Sequence, residues 1–339
     1  MHFIVRSFRS VFVEGRFTPL LASLGMIAMR AALYYVEGLP QIPSGGYNYL
    51  WEPIAPFFGN PRLSLLGSTL SVFLIAWLLS LLNGRFNLLR SRSNLPFIVP
   101  LFLLSLHPYF LVMSGDYISI IFILLALFLL LESYQKPDSY LSSFRMAILI
   151  GMASLFQIYA LILLPCWWIG ERSMRSFRLQ SFISSLFGLF LIYVTLFSIY
   201  WFLDDISGFI APFFAFPAIS LPKIPLFSAL EWGGVVFTGL FFISNMTLCI
   251  RTYNRDKALT ISLIRFEVFL ILLLLFFQII YWQETLFFLL ISITLISCLN
   301  AYFYSKTMSK SHIYLAYGML VCMFFIYFSH LIASAVTLL

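Results

Sequence analysis

What this sequence has least of is charge. Only 10% of its 339 residues are Asp, Glu, Lys or Arg, against 62% hydrophobic. A soluble domain carries about a quarter charged residues, so this composition excludes an ordinary water-facing surface. Acid is scarcer than base, 13 residues against 20. The resulting +7 does not indicate nucleic acid, because the basic residues sit in short clusters between apolar runs. Alternating polar and apolar strands are also missing, which argues against a membrane barrel. The four cysteines, Cys166, Cys249, Cys298 and Cys322, each stand alone inside an apolar run. That excludes a disulfide framework and a metal site of cysteine type, and no cofactor is indicated. No small-residue cleavage site follows the basic N-terminus, so the first apolar run reads as an uncleaved span. Internal repeats and low-complexity segments are absent.

What is there is one apolar run after another, each near the roughly 20 residues that cross a bilayer as a helix. The expected fold is all-α, a polytopic membrane helix bundle with the N-terminus in the cytoplasm. Residues 1–16 form a basic lead-in at the cytoplasmic interface, and 17–339 a single transmembrane domain. Nine spans are expected, at about 18–36, 63–82, 95–112, 117–133, 179–202, 234–250, 266–280, 285–304 and 313–336. Pro96, Pro100 and Pro108 predict a kink in the third. Two long loops, 37–62 and 203–231, are rich in proline and aromatic residues.

A further run, 145–170, carries basic residues at both ends: Arg145 before it, then Arg172, Arg175 and Arg178. It reads as a re-entrant helical hairpin, with a single tilted span over about 146–169 as the alternative. Gly151, Gln157 and Pro165 all weaken a continuous helix there. With a hairpin, every basic residue except Arg30, Arg62 and Lys223 falls in a cytoplasmic segment. With a single crossing, the later clusters from Arg172 to Lys310 would move outside, against the positive-inside bias. Glu37, Glu52, Asp116, Asp204, Asp205, Glu231 and Glu284 then share the outer face.

The order of these features carries a resemblance. An acid, Glu37, closes the first span, and a long outer loop follows it. Then come LHPYFLVMSGDYISIIFILLALFLLLE and the glycine-bearing FRMAILIGMASLFQIYALILLPCWWI. Over roughly residues 17–200 this resembles the GT-C superfamily of polyprenyl-phosphate-sugar-dependent glycosyltransferases. The sequence departs from that pattern in having no second acid close to Glu37 and in placing Gln157, rather than Lys or Arg, at the hairpin tip. The step RSFRLQSFISSLFGLF is also similar to multi-pass membrane proteins of Bacteroidota, a likeness that supplies no activity.

The resemblance implies sugar transfer from a lipid-phosphate donor on the outer face of a bacterial inner membrane. Glu37 and Glu52 are then the candidate catalytic bases, since a carboxylate at the membrane boundary can take the acceptor's hydroxyl proton. The structural alternative for Glu37 is a solvated acid at a helix end. Arg30 lies inside the first span, and an intramembrane charge marks a functional position by default. Its candidate partners are a lipid phosphate, Glu37 or Asp116; snorkelling to the headgroups is the structural alternative. His107, Asp116 and Gln157 complete the expected substrate contacts. Tyr49 and Trp51 offer faces for sugar stacking or for interfacial anchoring.

Glu267 is expected to pair near the cytoplasmic interface. The partners indicated are membrane lipids, with a polyprenyl-phosphate lipid among them, and no nucleic acid. A non-catalytic scaffold or partner subunit with the same fold is the competing reading. A transporter is disfavoured, because intramembrane acids are nearly absent and no inverted repeat is visible.

Overall fold

The computed structural model describes residues 3–40, 48–89, 93–136, 140–217, 219, 243–251, 256–306 and 309–337. Glu231 and most of the expected span at 234–250 lie outside these. Among the described residues the chain is all-α. Its principal helices are α1 (Thr18–Glu37), α2 (Pro61–Phe86), α3 (Leu95–Leu103), α4 (Gly115–Glu132), α5 (Tyr140–Phe156), α6 (Leu163–Ser173), α7 (Leu179–Phe202), α8 (Ala258–Ile280), α9 (Thr285–Lys306) and α10 (Lys310–Thr337).

Among the described residues seven helices are long and apolar enough to cross a membrane: α1, α2, α4, α7, α8, α9 with its preceding turn from Trp282, and α10 over Lys310–Ser329. Their outward faces are greasy. Ile183, Phe187 and Phe190 of α7, and Leu272, Phe276 and Ile279 of α8, are exposed. Apolar exposure on this scale suits lipid, not water, and the chain reads as a multi-pass membrane protein.

The expected third span is not formed as one helix. α3 stops at Leu103 after nine residues, and a 3-10 turn occupies Pro108–Leu111. Pro108 explains the gap. It has no N–H to give and forces the residue before it out of helical geometry; His107 is extended, with φ −126° and ψ 141°.

The central run folds back on itself. α5 ends at Phe156, Gln157 is extended, a 3-10 turn covers Ile158–Ile162, and α6 returns. Three contacts fix the return. The Gln135 N–H donates to the Met174 carbonyl at 3.1 Å. The Ser133 and Ser176 hydroxyls meet at 3.2 Å. Ser143, near the start of α5, hydrogen-bonds Glu171, near the end of α6. Arg145 and Arg175 are therefore at one end of the bundle, both exposed. At about 1.5 Å per residue, the 17 residues of α5 rise about 25 Å, so the tip lies nearly a bilayer core away.

Packing supports the long arm. α5 lies against both α4 and α7. The approach to α7 is close enough that a Cβ on Gly188 would stand 2.7 Å from the Phe144 carbonyl oxygen. We expect Arg145→Cys and Arg175→Cys to react with an impermeant maleimide from the same side of sealed vesicles. Labelling from opposite sides would contradict the fold-back.

Candidate functional site

The hairpin tip meets two helix N-termini. Gln157 is buried, and its Nε2 donates to Asp116 Oδ1 at 2.8 Å and to Glu284 Oε2 at 3.1 Å. Asp116 sits in the first turn of α4, and Glu284 immediately precedes α9. Both carboxylates thus lie where the helix dipole favours negative charge. The Ser114 hydroxyl donates to the other Asp116 oxygen at 3.0 Å. Asp116 is only 7% exposed, whereas Glu284 is half-buried. One amide therefore bridges two acids, one deep and one reachable.

The surrounding wall is aromatic. The Tyr159 hydroxyl, two residues past Gln157, donates to the Ala215 carbonyl at 3.0 Å. Its ring packs against Tyr281, Phe216 and Phe288. Trp51 covers Gly115 from the other side: a Cβ on Gly115 would lie 3.0 Å from the Trp51 ring and 2.5 Å from the Phe156 carbonyl oxygen. Only glycine admits that approach. Trp51 also stacks on Phe58, with ring centroids 5.6 Å apart.

Arg30 occupies a different place. It is 1% exposed, and its guanidinium is spread over four protein acceptors. Nε donates to Thr69 Oγ1 at 2.9 Å and Nη1 to the Leu104 carbonyl at 2.9 Å. Nη2 donates to Ser68 Oγ at 2.6 Å and to the Phe110 carbonyl at 2.7 Å. The Phe110 carbonyl also accepts from the Tyr117 hydroxyl at 2.8 Å. Arg30 thus holds the broken segment between α3 and α4 by donating to its Leu104 and Phe110 carbonyls. Its contacts are carbonyls and hydroxyls, not Glu37 or Asp116.

The remaining expected residues are dispersed. Glu37, the last residue of α1, is half-buried. Glu52 is exposed and lies close enough to Tyr200 to act on it electrostatically. His107 is half-buried, accepts the Tyr109 N–H on Nδ1 at 3.2 Å and stacks on the Tyr109 ring at 4.9 Å. Tyr49 is buried among Tyr193, Tyr200, Phe209 and Phe213 and donates to the Phe209 carbonyl at 2.6 Å. Burial pushes its phenol far above the usual range, and Tyr193 and Tyr200 add to the effect. Asp205 caps the short helix after α7. The Gly208 N–H and then the Ser207 hydroxyl hold its carboxyl below the usual range.

Of the expected set, the structure brings Asp116 and Gln157 together, with Trp51 beside them over Gly115. Glu284 was not singled out. A shared signal marks it: like Asp116 in MSGDY, it sits in a tight turn, YWQE, just ahead of an apolar run. Among the described residues no group of three or more His, Cys, Asp and Glu is placed to hold a metal. Comparison with family models, curated proteins and solved structures returned no match.

Proposed function

We propose that this protein is a membrane transferase that moves a sugar from a polyprenyl-phosphate donor at the hairpin-tip end of the bundle. The observation that carries this reading is the convergence of Asp116, Gln157 and Glu284 from three elements far apart in the chain. Paired carboxylates at a rim are the acid–base apparatus that glycosyl chemistry uses. In this scheme a carboxylate takes the acceptor's hydroxyl proton as the oxygen attacks the anomeric carbon. The bond from that carbon to the phosphate oxygen breaks, and the phosphate leaves on its lipid. Glu284, the reachable member, is the base. Asp116 and Gln157 hold it in place, and His107 stands on the donor side. Glu52 and Glu37 are carboxylates away from the tip and take no part in the proton transfer, and Trp51 packs over Gly115 to hold the tip in place.

The basic residues support the orientation. Arg85, Arg145, Arg172, Arg175, Arg178 and Lys306 gather at the end away from the tip, as a cytoplasmic surface requires. The tip then faces outward from a bacterial inner membrane, with the N-terminus in the cytoplasm.

With a polyprenyl-phosphate sugar as donor, Glu284→Gln should lower the transfer rate about 10²–10⁴-fold. Asp116→Asn should fall in the same range, while Glu52→Gln and Glu37→Gln should stay within a few fold of wild type. Full activity in both tip variants would remove the proposed base.

A second reading, a scaffold or partner subunit without chemistry, is favoured by Arg30. Its donors are taken up by the protein itself, and the tip carries an amide where a cation would meet phosphate. Wild-type protein that transfers no sugar from any polyprenyl-phosphate donor, yet co-purifies with a membrane partner, would favour that reading.

A further inference from the structure

Five residues occur twice in this chain. Ile-Ala-Pro-Phe-Phe stands at 54–58 and again at 210–214, a match too short to mark a repeated fold unit. Both copies fold alike. The short helix Trp51–Ile54 runs into a 3-10 turn over Ala55–Gly59, and Ile206–Ile210 runs into a 3-10 turn over Ala211–Ala215. In each the proline, without an N–H, ends the α-helical bonding, and the tighter turn takes over. In each pair of phenylalanines one ring packs inward. Phe58 stacks on Trp51, and Phe213 lies 5.7 Å from Tyr193 and 6.4 Å from Tyr49. The other ring is left outside: Phe57 is 66% exposed and Phe214 69%. Ile54 and Ile210 are exposed as well.

Both copies are tied to the hairpin tip. Just ahead of the first, the Leu50 N–H donates to the Leu155 carbonyl at 2.9 Å. Around the second, three tyrosine hydroxyls donate to backbone carbonyls: Tyr49 to Phe209 at 2.6 Å, Tyr159 to Ala215 at 3.0 Å and Tyr281 to Phe216 at 3.1 Å. The outer rings are therefore held out by a fixed frame. We propose that the two copies are wedges that insert these rings into the lipid leaflet at the tip end of the bundle. Position, continuity and charge choose lipid. The first copy leads straight into α2, and the second follows α7 by a few residues, so both stand where spanning helices leave the bilayer. Their apolar surface continues that of those helices, through Leu66 and Leu70 of α2 and Trp201 and Phe202 of α7, all exposed. The exposed charges next to them are Glu52, Asp204, Asp205 and Arg62. That set is net acidic, so a zwitterionic lipid surface suits the wedges and no anionic headgroup is called for. The wedges require nothing of the transfer chemistry.

The test places a nitroxide on the full chain in phosphatidylcholine nanodiscs, at Phe57→Cys and at Phe214→Cys, with labelled wild type as the background from the four native cysteines. Arg175→Cys supplies the water reference, and Phe190→Cys, on the exposed face of α7, the lipid reference. Collisions with oxygen and with a water-soluble nickel chelate give the depth. Both wedge labels should read lipid, about 5–10 Å below the headgroup surface, while Glu52→Cys should read water. Ile54→Cys and Ile210→Cys form a second pair should a phenylalanine variant fail to fold. Chelate collisions at either wedge as frequent as at position 175 overturn the proposal; a surface kept for another protein gives that result, since the discs contain none. A lipid reading at Glu52→Cys overturns it too, because the whole end of the bundle would then be submerged.

Discussion

Arg30→Met should cost the protein its fold in detergent. The methionine fills much of the volume, but it leaves two backbone carbonyls, those of Leu104 and Phe110, and the Ser68 and Thr69 hydroxyls without the donor they now share. Each buried acceptor left without a donor costs about 1–3 kcal/mol, against a total stability of about 5–15 kcal/mol. Arg30→Lys should recover little. A lysine is a single point of charge and cannot reach in several directions at once as the planar fork does. Thermal unfolding and the monodispersity of the purified protein read the outcome. An unchanged midpoint for the methionine variant would show that the segment between α3 and α4 holds its shape by other means.

The second large effect is expected at Gly115. A methyl group there would sit 2.5 Å from the Phe156 carbonyl oxygen and 3.0 Å from Trp51. The first obstacle is backbone, so the hairpin tip itself must move. Overpacking of this kind costs about 1–3 kcal/mol. The movement also draws Gln157 away from Asp116, so Gly115→Ala should lose transfer activity as Asp116→Asn does. Gly84 gives the control: a Cβ there meets nothing within 4 Å. Gly84→Ala, inside α2, should be neutral or stabilising by up to about 1 kcal/mol. Equal behaviour of the two alanine variants would mean that the close approach at Gly115 is not what positions the tip.

The helical class was legible in the sequence because composition left no other solvent than lipid for so many apolar side chains. The break in the central run falls at Gln157, a lone amide in an otherwise greasy stretch, where a polar group needs a partner. The interruption before Pro108 is deeper than a kink, because proline acts on the residue before it as well as on its own hydrogen bond.

The partners themselves were hidden. Arg30 is held by two carbonyls, and carbonyls belong to every residue, so no residue type announces them. Glu284 lies 127 residues from Gln157, and only the packing of α9 beside the hairpin brings it in. Glu267 looked like an interfacial ion-pair member because Arg265 is two residues away. Two residues along a helix point to different faces, and the pair never meets.

The placement of Arg30 also bears on how the chain is made. Its helix has the lowest mean hydropathy of the seven, 1.4, and an arginine at the centre of a span adds about 2.5–3.5 kcal/mol to the cost of insertion. Everything that satisfies the guanidinium, from Ser68 to Phe110, emerges from the ribosome later. The first apolar helix is therefore expected to settle in lipid only after residues 68–110 have arrived beside it, so its insertion is coupled to that of the next two segments.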